Sequence, residues 1–158
     1  MSDQTQSPLK QRFWAQISKS PFVMLELDNV PHSAVPMTAQ LDKEAHGAIW
    51  FFTSREGPLA QMGPATATFV AKDHKLFARL TGRLTEETDQ VRFDALWTSA
   101  VAAWFPEGKG SAHVLLMRMD LGEASLWGAK LGAVTLTKML LGINVYDDVK
   151  DQRAETSL

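Results

Sequence analysis

The chain contains no cysteine. That absence excludes disulfides, thiolate nucleophiles and sulfur-ligated metal sites together, and it suits a reducing compartment. Positive charge is not in excess either. Sixteen Lys and Arg against 18 Asp and Glu leave a net charge of -2, whereas a nucleic-acid binder usually shows a basic face. No nucleic-acid partner is expected. No apolar run approaches the ~18 residues of a membrane-spanning helix. The opening MSDQTQSPLK lacks the basic-then-apolar pattern of a secretory leader. A soluble, cytoplasmic protein without a membrane partner is the expectation. A glycine-rich phosphate loop is also missing, since GKG at 108–110 lacks the rest of that motif. No nucleophilic triad stands out, and the four histidines, at 32, 46, 74 and 113, have no metal-ligand spacing. His46 and His74 sit in turn-like sequence and read as solvated, and His113 opens a strand. His32, just before SAVPM, is the one placed to line a site.

What is present is the material of one ordinary globular domain: 158 residues, 45% hydrophobic and 22% charged. Ser7-Pro8 reads as a helix cap followed by proline at the first helical position, with a helix through about residue 18. Strands are predicted at 21–28, 33–42, 47–54, 65–72, 75–85, 113–120 and 123–128, from β-branched, aromatic and alternating runs bounded by turn residues. GAIWFFTS at 47–54 is too apolar to be exposed on either face. PLAQM at 58–62 predicts a short helix. A long helix is predicted over 86–104, with Glu86, Glu87 and Asp89 crowding its first turn, and another over 131–141, followed from 146 by a polar tail. This order is not the alternation of a doubly wound sheet. It predicts a mainly β (α+β) fold, a small antiparallel barrel with flanking helices.

The end of the third strand is chemically distinctive. Thr53 and Ser54 offer two hydroxyls beside main-chain N–H groups, and Arg55 adds a guanidinium suited to phosphate. A helix beginning at Glu56–Pro58 would aim its N-terminus at the same spot. The plainer reading is that Thr-Ser caps a turn.

Six ordered segments carry a further signal: HSAVPMTAQ (32–40), IWFFTS (49–54), LTGRL (80–84), LWTSAVAAWFPEGK (96–109), VLLMRMDLGEASLW (114–127) and KMLLG (138–142). Together they resemble the general stress protein 26 branch of the pyridoxamine 5'-phosphate oxidase-related flavoproteins, over about residues 8 to 145. The resemblance implies an FMN-binding split β-barrel that forms a homodimer with its flavin between subunits. By motif position, the strand from Val35 through Met37 to Gln40 and the strand from Trp50 to Ser54 would flank the flavin, with His32 beside the cleft. Phe51 and Phe52 would present mainly main-chain groups to the ring, and Thr53 and Ser54 would meet the phosphate, which the Arg55 guanidinium is also suited to grip. Trp104 would reach the partner's cofactor or, on the plainer reading, pack in the core along the long helix.

Three positions depart from the family pattern. Val35 stands where many relatives carry arginine, Leu59 about where many carry a phosphate-pairing lysine, and Gln40 where the oxidases often have lysine. Losing two charged hydrogen bonds of roughly 1.5–3 kcal/mol each would weaken binding by about 3–6 kcal/mol, or on the order of a hundredfold to ten-thousandfold. Arg55 would recover part of that. Three functions fit these residues: an FMN-dependent oxidoreductase with NAD(P)H as electron donor, a non-catalytic flavin-binding or storage protein, and a split barrel that has lost FMN and binds another ligand such as a tetrapyrrole.

Overall fold

The computed structural model describes residues 8–45, 47–128, 133–144, 146 and 153–158. Ser7 and His46 lie outside them. The first helix, α1 (Pro8–Lys19), buries Phe13 and Ile17. Seven strands follow in one antiparallel sheet: β1 (Phe22–Leu27), β2 (Val35–Thr38), β3 (Ala48–Ser54), β4 (Gly63–Val70), β5 (Leu76–Glu86), β6 (Val114–Gly128) and β7 (Arg153–Ser157). Period-two alternation sets the inner face. Val23, Leu25 and Leu27 of β1 point in while Phe22, Met24 and Glu26 point out. Against the inner residues packs α1, with Phe13 edge-on to Phe69 at 5.8 Å.

The strand order is β2-β1-β4-β5-β6-β3, with β7 also beside β6. The first and last strands of that path, β2 and β3, meet at a single isolated pair. Gln40 N–H donates to the Trp50 carbonyl at 2.7 Å, and Trp50 N–H to the Gln40 carbonyl at 3.0 Å. The sheet therefore curls round on itself without closing, an antiparallel split barrel with flanking helices.

As its composition requires, β3 is buried on both faces. Ile49 and Phe51 join the barrel core with Leu115, Met117 and Met119. Ala48, Trp50 and Phe52 face a second apolar cluster with Leu96, Val101, Val114 and Leu116. Two short helices supply its cover: α2 (Gln90–Leu96) and α3 (Ser99–Ala102).

Those two helices replace the single one expected over 86–104. Glu86 remains in β5, paired with Met117. Asp89 is the cap, accepting from Val91 N–H at 2.9 Å. At Trp97 and Thr98 the chain is extended, and the Thr98 hydroxyl caps the second helix by accepting from Val101 N–H at 3.3 Å. A Thr-Ser pair competes for main-chain partners and so breaks a helix that periodicity alone would continue.

Two more expectations are corrected. The strands read at 113–120 and 123–128 are one, β6. Leu121-Gly122 is not a turn but a bulge, where Leu80 pairs with Ala124 and Gly82 with Leu121. The tail after 146 is not merely polar surface, because 153–157 form β7 along the second half of β6. The helix read at 131–141 is present as α4 (Ala133–Leu140).

Candidate functional site

Along the open seam between β2 and β3 the fold leaves main-chain groups without a strand partner among the described residues. Residues on an antiparallel edge point their N–H and C=O alternately to either side. Since Gln40 and Trp50 point theirs at each other, Thr38 and Phe52, two residues along, point theirs into the seam as well. Among the described residues no strand pairs them there. The seam widens into a cleft of about 300 Å³ lined by Pro36, Met37, Thr38, Gln40, Phe52, Thr53, Ser54, Val101, Trp104 and Phe105.

Its wall is aromatic. Phe52 packs edge-on against Phe93 at 5.2 Å and Trp97 at 5.4 Å, and Trp97 lies 5.9 Å from Phe105. Trp104, beyond α3, is 80% exposed at the cleft's rim. The plainer expectation for Trp104, core packing on a long helix, fails because that helix ends two residues earlier.

A second hollow of about 350 Å³ adjoins the first, sharing Ser54, Trp104 and Phe105 and adding Glu56, Glu107, Ser111 and His113. Here the Ser54 hydroxyl donates to Glu56 Oε2 at 2.6 Å, and the other carboxylate oxygen pairs with His113 Nδ1. The Ser54 hydroxyl and His113 hold the Glu56 carboxyl below the usual carboxylate range, and Glu56 in turn raises His113. Glu56 is therefore an anion at neutral pH. Arg55 turns away, binding Glu86 at 2.5 Å in a separate hollow with Glu87 and Lys109. Lys109 is itself bound to Asp94 at 2.5 Å.

Of the residues read from the sequence, the cleft brings together Met37, Gln40, Phe52, Thr53, Ser54 and Trp104. The others stand elsewhere. Val35 packs partly buried against the barrel core, and Phe51 and Leu59 are buried in it. Trp50 lies under α2, its indole N–H donating to Glu87 at 3.1 Å. His32 takes a left-handed φ of 62° in the turn before β2 and is exposed outside the cleft. The helix expected at 58–62 is one 3-10 turn, Pro58–Gln61, and the Gly57 N–H before it already donates to the Ser54 carbonyl at 3.0 Å.

Sequence reasoning did not single out Phe105, Thr38 or Glu56 as site residues. Phe105 was within reach, sitting beside Trp104 in AWFPEGK. Glu56 was read only as the start of a helix, and nothing local to it signals that it folds back onto Ser54.

The residues fit one part of a flavin mononucleotide and not the other. Main-chain donors and acceptors along a narrow seam, backed by aromatic rings, suit a flat heteroaromatic system with polar edges. The corner beyond Thr53, as its side chains stand, holds a carboxylate where a phosphate would need cations.

An antiparallel sheet curled into a split barrel, with an aromatic-walled cleft along its seam, defines a protein of the split-barrel class. The sequence profile of the family described as pyridoxamine 5'-phosphate oxidase like matches residues 9–148. The chain belongs to that family, in its general stress protein branch. A general stress FMN/FAD binding protein from Xanthomonas citri is 38% identical, with a TM-score of 0.72 over 79% of this chain and 92% of that one. A protein assigned to general stress protein 26 from Jannaschia sp. CCS1 is 25% identical, with a TM-score of 0.75 over 95% of this chain and 98% of that one. A protein assigned to the general stress family from Xanthomonas campestris is 38% identical, with a TM-score of 0.70 over 81% and 90%. None of the proteins with curated descriptions matches the chain.

Proposed function

We propose that the seam between β2 and β3 binds a flavin, FMN being the form the family resemblance implies, and that the protein uses it for hydride or electron transfer. The observation that carries this reading is the pair of main-chain edges at Thr38 and Phe52, left open by the split in the sheet and backed by Phe52, Trp104 and Phe105. The name of the 38% identical relative, an FMN/FAD binding protein, supports it.

A bound flavin would supply the redox chemistry. The chain's own residues have four tasks. Thr38 and Phe52 hold the ring edge with main-chain hydrogen bonds. Gln40 and Thr53 add side-chain polar groups along that edge. Met37 and the aromatic wall exclude water from one face. Trp104 closes over the other side or over the cleft of a partner subunit. A homodimer, the second part of the proposal, would cover the exposed Trp104 and the open side of the cleft. A reduced nicotinamide is the proposed electron donor. A storage role without turnover differs from this only in lacking that donor. His32, read from the sequence as the histidine placed to line a site, stands outside the cleft.

The test is an absorbance spectrum of the purified protein, then titration of the apo-protein with flavin. Flavin bands, or saturable uptake with quenching of tryptophan fluorescence, are expected, together with a light-scattering mass twice that of the chain. Trp104→Ala is expected to weaken binding by about three- to tenfold, the worth of roughly one aromatic contact. A colourless protein that takes up no flavin would end the reading. Bleaching of bound flavin by NADH or NADPH without oxygen would distinguish catalysis from storage.

A further inference from the structure

We propose that Glu56 is a built-in anion that holds the corner after β3 against phosphate, so that the cleft takes a flavin without a phosphate at least as well as one that carries it. This rests on the flavin reading of the same cleft and adds which flavin it selects.

Of the donors that a phosphate could use at the corner, the Ser54 hydroxyl and the main-chain N–H groups of Arg55 and Gly57 are already committed. The Ser54 hydroxyl donates to Glu56 Oε2 at 2.6 Å and accepts from Glu56 N–H at 3.3 Å. His113 binds the other carboxylate oxygen. Gly57 N–H donates to the Ser54 carbonyl at 3.0 Å and Arg55 N–H to the His113 carbonyl at 2.8 Å. Glu56 thus makes, from within the chain, contacts that a bound anion would otherwise make.

The charges agree with the hydrogen bonds. Two carboxylates, Glu56 and Glu107, line the hollow, and His113 is its only basic side chain among the described residues. Glu107 also accepts from the Ser111 hydroxyl at 3.1 Å. The nearest guanidinium, Arg55, is bound to Glu86 and lies in the neighbouring hollow. To reach Ser54, His113 or Arg55, phosphate would have to displace Glu56 or draw Arg55 off Glu86, against like-charge repulsion in either case. A flavin without phosphate meets none of this, because its ring needs only the seam.

Glu56 and His113 both lie at the surface, their side chains 62% and 63% exposed, so replacing Glu56 leaves the fold intact. The experiment uses the apo-protein, E56Q and E56A. In the first arm inorganic phosphate is titrated while the amide shifts of Ser54, Arg55 and Gly57 are followed by NMR. Saturable shifts are expected in both variants and not in the native chain; equal shifts in all three would overturn the proposal. In the second arm riboflavin and FMN are titrated by fluorescence. The native chain is expected to bind the two within about threefold of each other. Both variants should bind FMN at least tenfold more tightly and riboflavin unchanged. A native chain that favours FMN a hundredfold, with neither variant moving that ratio, would overturn it. If neither flavin binds while phosphate still separates the variants from the native chain, the flavin reading falls and the anion-excluding role of Glu56 stands.

Discussion

Trp50→Ala is expected to lower the stability of the fold by about 3–5 kcal/mol, the cost of emptying a large aromatic site in a core. In thermal unfolding that is a drop of roughly 6–20 °C for a domain of this size. The expectation rests on how many parts Trp50 joins. Its side chain is fully buried in the cluster under α2. Its indole N–H donates to Glu87 at 3.1 Å, and the guanidinium carbons of Arg92 and Arg118 lie 4.5 and 5.5 Å from the ring centroid. Arg92 is in turn paired with Asp42, on the segment between β2 and β3. The same residue's main chain makes the one pair, with Gln40, that ties the ends of the sheet together. Removing the ring therefore unseats α2 and loosens the seam together. Differential scanning calorimetry measures the first effect, and faster amide exchange at Gln40 and Trp50 measures the second. Phe or Leu at 50 should recover part of the packing but not the Glu87 hydrogen bond. A loss under 1 kcal/mol would show that the cluster under α2 contributes little.

Gly82→Ala is expected to be as damaging for an opposite reason, too little space. A Cβ at Gly82 would stand 2.2 Å from the Asp120 carbonyl oxygen and 3.3 Å from the end of Met119. The first neighbour is main chain, locked between β3 and β5 in the middle of β6, and cannot swing aside. Overpacking costs typically 1–3 kcal/mol and occasionally more, and an obstacle this close puts the expected loss at about 3 kcal/mol, read from urea unfolding. Gly122→Ala is the internal control. It lies in the bulge across from Gly82, its Cβ would come no nearer than 3.6 Å to the Thr81 carbonyl, and its expected change is within about 1 kcal/mol. If both variants unfold alike, close main-chain approach at Gly82 is not what the bulge requires. Because the bulge sets the angle at which β6 carries β3 to the seam, Gly82→Ala should also weaken ligand uptake, whereas Gly122→Ala should not.

The barrel was legible because period-two alternation survives in single strands. Val23, Leu25 and Leu27 announce a half-buried strand without reference to any partner, and AIWFFTS announces a strand covered on both faces. The split helix was not legible. Phe93, Leu96, Trp97 and Val101 do keep helical spacing and do share one apolar cluster, but a Thr-Ser cap in the middle ends one helix and begins another. β7 escaped notice because its sequence, RAETS, is polar and takes its strand form from the edge of β6 that it pairs with.

The cleft divides in the same way. Met37, Gln40, Phe52, Thr53, Ser54 and Trp104 were named from motifs, and they meet at the seam. Phe51 and Trp50 do not join them: alternation sends Phe51 into the barrel, and Trp50, on the same face as Phe52 but two residues back, lies beneath α2, so that Phe52, Thr53 and Ser54 line the opening. Arg55 carries the charge suited to phosphate, but a carboxylate 31 residues away in the chain claims it.

By itself the sequence determined what short-range physics decides: which segments extend, which faces are apolar, where the charged and hydroxyl groups cluster, and, through its ordered motifs, the family. Tertiary structure alone decided where the sheet stays open and which ions pair. Both depend on residues far apart in the chain arriving side by side. Gln40 must reach Trp50 for the seam to exist, and Glu56 must reach His113, 57 residues on, for the corner to hold its own anion.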